Sequence, residues 1–183
     1  MLIGRRHLMI MIPAAATALA AGSAWASAKE IDTDASAALK TLYSESTKAR
    51  DMSKTAKGIL IFPKIVKGGF LVGAQSGDGV LRIKGKPNAY YNISAGSFGL
   101  QAGVQAFSYA MFFMTQSALD YLEKSDGWQV GSGPSIVVID KGAAASHTST
   151  TLTQDVYAFP FGQKGLMAGL GLEGSKITHI KPD

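Results

Sequence analysis

The chain has 183 residues, close to half of them hydrophobic, with 21 glycines, 18 Lys or Arg against 13 Asp or Glu, and no cysteine. Without cysteine there are no disulfides, no thiol catalysis and no lipid attachment at a signal-peptide cysteine. A formal charge of +5 falls short of the dense basic stripe that nucleic-acid binding requires, so nucleic acid is not an expected partner.

The first 26 residues read as a signal peptide. Arg5 and Arg6 form a basic start, Leu8 to Ile12 and Ala14 to Ala21 an apolar stretch, and Ala24-Trp25-Ala26 a small-x-small cleavage pattern. Pro13 and the shortness of the apolar run argue against a membrane anchor. Cleavage after Ala26 leaves Ser27 as the mature N-terminus and a periplasmic or secreted protein. Export is expected by the Sec route or by the twin-arginine route, whose core signal Arg5-Arg6-His7-Leu8-Met9 fits. Losing Arg5 and Arg6 lowers the formal charge from +5 to +3, and residues 27–183 have the length of one domain.

In the mature chain, Asp32 or Asp34 is expected to cap a helix reaching Lys48. Its apolar positions Ala35, Ala38, Leu39, Leu42 and Ala49 lie opposite Lys40, Ser44 and Lys48. From Gly58 the period moves towards two. Strands are expected at Ile59 to Phe62 and Gly69 to Gln75, then a tight turn in which Gly77 and Gly79 supply positive φ, then a return strand from Val80 to Lys84. On that return Leu81 and Ile83 share one face, and Arg82 and Lys84 the other. Further on, Phe98, Leu100, Ala102, Val104 and Ala106 alternate with Gly99, Gln101, Gly103 and Gln105, giving one apolar face and one bare face on which another strand or helix, or else a ligand, is expected to pack closely. A helix through Lys124 follows, capped by Thr115 or Ser117, with Leu119 and Leu122 inward and Gly127 ending it. Strands at Ser135 to Asp140, Thr151 to Phe159 and Leu166 to Ile177 complete the chain.

Helices do not alternate with strands, so a doubly wound parallel sheet is not expected. The predicted class is α+β and β-dominated: a largely antiparallel sheet forming a sandwich or partly closed barrel, with two packed helices.

Catalytic signatures fail on context. Gly169-Leu170-Gly171-Leu172-Glu173-Gly174 has dinucleotide-loop spacing, but the nine residues after it cannot form the crossover that such a loop opens. His147 and His179 stand alone without acidic residues at metal-ligand spacing. A serine, His147 and Asp155 could in principle be assembled as a triad, yet no strained G-x-S-x-G elbow presents the serine. No enzyme activity, metal or cofactor is expected.

Ala56 to Leu81 (AKGILIFPKIVKGGFLVGAQSGDGVL) resembles the opening block of the SYLF domain, a lipid-binding module also named for a yeast actin-binding protein. Ser97 to Gln105 (SFGLQAGVQ) resembles that family's Gly-x-Gln-x-Gly strand. Ser125 to Val138 and Thr151 to Ile177 are similar to its bacterial branch in order and spacing, and the resemblance spans Asp34 to Ile180. It implies lipid binding, since eukaryotic SYLF domains bind phosphoinositides with an N-terminal amphipathic helix and basic residues, and some bind actin filaments. An aspartate common in the eukaryotic pattern has no counterpart here, where Phe107-Ser108-Tyr109 stands. For an exported bacterial member the implied ligand is anionic phospholipid.

The residues point the same way. Lys57, Lys64 and Lys67 precede the expected hairpin turn, and Arg82, Lys84 and Lys86 lie on its return arm or just beyond. A formed hairpin is expected to put both groups at one end of the domain. Each lysine near an anionic surface contributes about 1 kcal/mol, enough together for reversible association. The competing account is that lysines only keep a strand edge from pairing. The expected function is therefore an exported, non-enzymatic protein binding anionic phospholipid or a membrane surface. The alternative is a periplasmic structural or interaction protein that acts through a protein partner.

Overall fold

The computed structural model describes residues 26–139, 154–164 and 174–183. The signal segment, His147 and most of the glycine-rich motif from Gly169 lie outside them, as do the expected starts of the strands at Thr151 and Leu166.

One hairpin organises the domain. Strand β1 (Gly58–Ile83) pairs antiparallel with β2 (Lys86–Phe113), in a register running from Gly58↔Phe113 to Ile83↔Lys86. The turn is Lys84-Gly85, with φ of 51° and 78°. Two central residues at positive φ make a type I′ turn, whose twist matches that of the strands. This corrects the expected turn at Gly77-Asp78-Gly79, which is mid-strand, with Asp78 opposite Asn92.

Those glycines serve close approach instead. A Cβ on Gly77 would lie 2.5 Å from the Lys64 carbonyl oxygen and 2.9 Å from Ile65 Cα. One on Gly79 would run into the Ile61 carbonyl and the Phe62 ring, and one on Gly69 into Val72 and Gly73. The hairpin is thus folded in half near residues 69–72, its second half laid backbone-to-backbone on its first. Register breaks at Phe62/Ile65 and Gly69/Leu71 provide the extra residues such a bend needs.

The other strands extend both halves. β5 (Val156–Lys164) pairs antiparallel with β2 from Phe113 back to Ala106, and β6 (Lys176–Ile180) pairs antiparallel with Tyr90 to Ser94. β3 (Trp128–Gln129) adds to β6, and β4 (Ile136–Val138) runs parallel to β5. The result is a strand-dominated, mostly antiparallel curled sheet in the form of a half-barrel, which bears out the expected class.

Helix α1 (Ala28–Glu45) begins earlier than expected. Ser27 and Glu30 form a reciprocal capping box, which satisfies two free amides where Asp32 or Asp34 could satisfy one. Ser46 ends α1 and caps a separate α2 (Thr47–Ser53). Helix α3 (Gln116–Lys124) is capped by Thr115 and buries Ala118, Leu119 and Leu122.

Two apolar clusters lie on opposite sides of the sheet. One joins Leu60, Phe62, Tyr109, Met111, Phe113 and Trp128 to α3; the other joins Ile61, Val80, Phe112 and Phe159 to α1 and α2. Successive residues at Leu60 to Phe62 and Tyr109 to Phe113 are therefore all buried, so these strands are continuous apolar runs rather than alternating ones.

Candidate functional site

Folding the hairpin in half separates its cations into two groups. At the turn end, Lys84, Arg82 and Lys54 line a cavity of about 440 Å³ with Tyr43 and Ile59. Lys57 is exposed between Ala56 and Gly58, which line the same cavity, and Lys86 is exposed just across the turn. Lys54 is a cation the sequence gives little reason to select. It follows α2 and pairs with Asp51 at 2.7 Å, and that hydrogen bond holds the Asp51 carboxyl below its ordinary range.

Arg82 is not a free surface cation. Its Nη2 donates to the α1 carbonyl of Asp32 and to Ser36 Oγ, both at 2.8 Å, while Tyr90 donates to the Asp32 carboxylate at 3.0 Å. The guanidinium ties α1 to the hairpin, and this corrects its assignment to an open basic surface.

At the bend end, Lys64 is exposed and lines two adjoining recesses between α1 and the hairpin, of about 650 and 610 Å³, which share Asp34 and Pro63. Lys164, from β5, lines the second. Lys67 is only 9% exposed and faces inward beside its register partner Gln105, at 1%. Lys67 is therefore interior, a second correction, and the expected meeting of Lys64 and Lys67 with Lys84 and Lys86 at one end does not occur.

The bend also inverts the expected facing of β2. Val104 belongs to the face read as apolar, yet it is 71% exposed, while Gln105 is buried. Across the fold Gln75 is buried and donates to the buried Ser175 Oγ at 3.2 Å. Among the described residues near the bend, Lys67, Gln75 and Gln105 point in while Val66, Val72 and Val104 are exposed.

The remaining candidates are structural. Asp155 accepts from the backbone and hydroxyl of Ser135 and from Thr115, bonds that hold its carboxyl below the ordinary range. It joins the cap of α3 to the start of β4. His179 is exposed and meets the Tyr91 ring edge-on at 5.3 Å. Burial, assisted by the Glu123 carboxylate, pushes the Tyr91 phenol up to about 12. Among the described residues no group of three His, Asp or Glu is placed to hold a metal ion, and no helix is long and apolar enough to cross a membrane.

No curated protein matches the chain. Residues 94–181, which run from mid-β2 through β6, match the family model Ysc84, described as Las17-binding protein actin regulator. That segment, 88 of the 183 residues, is thus similar to the Ysc84, or SYLF, family, the one the sequence resemblance points to.

Proposed function

We propose that the protein is an exported, non-enzymatic binding protein whose ligand is an anionic phospholipid surface. The distribution of charge along the fold carries this proposal. Residues 57–113, essentially the folded hairpin, hold six cations against one acid, Asp78. The segment 27–56 holds five of each sign, and 114–183 holds five cations against seven acids. All the positive excess of residues 27–183 is therefore on the hairpin. Its single acid accepts a 2.7 Å hydrogen bond from Asn92. Lys57, Lys64, Lys84 and Lys86 are exposed, and each contributes about 1 kcal/mol near an anionic leaflet.

Export is the expectation from the leader pattern of Arg5 to Ala26. Ser27, the residue expected at the mature N-terminus, is the cap of α1. N-terminal sequencing of exported protein is expected to begin at Ser27.

Co-sedimentation with phosphatidylglycerol-containing and neutral vesicles tests the lipid reading. Binding is expected to anionic vesicles only, and to weaken as salt shortens the Debye length to about 8 Å and below. Replacing Lys57, Lys64, Lys84 and Lys86 together with glutamine should weaken it by about fivefold for each lysine that lies at the contact and leave the fold intact, since exposed charges contribute little to stability. Equal binding to neutral vesicles overturns the proposal. A protein partner is the second reading, favoured by the family's description as Las17-binding, and it is the one left if no vesicle is bound.

A further inference from the structure

We infer that the bend of the folded hairpin is the edge that enters the bilayer, with Val66, Val72 and Val104 passing into the headgroup–acyl boundary and Lys64 and Lys164 flanking them. The inference rests on the lipid reading above and specifies which part of the molecule makes the contact.

The first observation is the inverted pattern. Val66, Val72 and Val104 are 41%, 60% and 71% exposed, whereas Lys67, Gln75 and Gln105 are 9%, 8% and 1% exposed. Among the described residues the buried Gln105 Oε1 has no hydrogen-bond partner. In water the exposed valines leave apolar surface wet, and the enclosed Gln105 Oε1 loses its solvent without a replacement. Against hydrocarbon the outward valines become favourable. Polar-in, apolar-out alternation is what strands adopt where they face lipid.

The second observation is placement. Val66 pairs with Ala106, Gly68 with Val104, and Val72 follows the fold-back at Gly69. The three valines are therefore grouped on the strands that flank the bend, Val66 at the mouth of the recess beside Lys64, rather than being scattered singly. Of the five large hydrophobic side chains exposed among the described residues, the other two are Tyr121 on α3 and Val138 on β4. The strands at the turn end have lysines but, among the described residues, no exposed large apolar side chain.

The third observation is charge. Lys64 precedes Val66 by two residues, and Lys164 pairs with Ala106, which itself pairs with Val66. Both lysines are exposed, and their long stems let the ammonium groups reach anionic headgroups while the strands sit at the boundary. Of the acids on this side, Asp34 lies on α1 across the groove and Asp78 is bonded to Asn92.

The chain has no cysteine, so a single Val72→Cys substitution carries an environment-sensitive fluorophore specifically, with Val138→Cys as the reference position. On phosphatidylglycerol-containing vesicles the probe at 72 should shift to the blue and be quenched by lipids brominated on their acyl chains, while the probe at 138 should not. The variant Val66→Ser/Val72→Ser/Val104→Ser should weaken vesicle binding by roughly ten- to a hundredfold and leave a residual association that salt removes. Vesicle binding with no change at position 72 overturns the inference but not the lipid reading. Absence of vesicle binding overturns both. A dimer in solution that the triple substitution dissociates assigns the valines to a second copy and overturns the inference as well.

Discussion

The two ends of the folded hairpin are built from the same two strands and carry similar residues, yet they solve opposite problems. At the turn end the sheet is covered by α1 and α2 on one side and by α3 on the other, so Leu60, Ile61, Leu81 and Phe112 are all buried and the lysines are left in water. At the bend the described apolar side chains Val66, Val72 and Val104 are uncovered and the polar groups are enclosed. The difference teaches that the role of a basic residue here is set by its place in the fold-back. Arg82 is a clamp, Lys67 is interior, Lys84 is a turn residue, and Lys64 is a surface charge beside an apolar edge.

The largest expected effect breaks the fold-back itself. Gly79→Ala would place a methyl group against the Ile61 carbonyl and within 2.5 Å of the Phe62 ring, in the contact between the two halves. Both neighbours are buried and have nowhere to move. Urea unfolding should show a loss of about 3 kcal/mol, at the upper end for overpacking. Gly96→Ala is the matched control, because Gly96 is exposed, lacks positive φ and has open space where the Cβ would be. It should stay within about 0.5 kcal/mol of the parent. Equal losses at both sites would mean that the halves are not held in backbone contact.

A smaller effect separates two cations only two residues apart. Arg82→Gln removes the donors to Asp32 and Ser36 and should cost about 1.5 to 3 kcal/mol, the range for hydrogen bonds to a charged group. Lys84→Gln, which alters an exposed turn residue, should change stability by less than about 0.5 kcal/mol. Equal small changes would return Arg82 to the surface.

These contrasts mark what the sequence reveals. The class, helix α3 and its inward Leu119 and Leu122 are legible because period and caps are local. The start of α1 is not, since Ser27-x-x-Glu30 abuts a cleavage pattern and the aspartates beyond it are plausible caps. The turn is misplaced because Gly-Asp-Gly serves equally for positive φ and for close packing, and only the approach of Ile61 and Ile65 decides between them. The charge excess of the hairpin is legible, but the places of its lysines in the fold are not. Alternation tells which residues share a face, and nothing local tells which face is covered. That is why Val104 and Gln105 exchange their expected sides.

A last, small effect bears most directly on which end of the hairpin would meet an anionic membrane. Lys84 holds φ at 51°, a left-handed conformation in which the Cβ of an ordinary L-residue is crowded, and Gly85 follows at 78°. Asparagine tolerates that region, and Asn-Gly is the preferred pair for a type I′ turn. Lys84→Asn should therefore stabilise the protein by about 0.5 to 1 kcal/mol while removing one cation from the turn end. If the bend is the contact, anionic-vesicle affinity should stay within about twofold of the parent, because the turn lies well beyond a Debye length of about 8 Å from the membrane. A tenfold fall in affinity, in a variant more stable than its parent, would move the contact to the turn and make the lysines around its cavity the headgroup site.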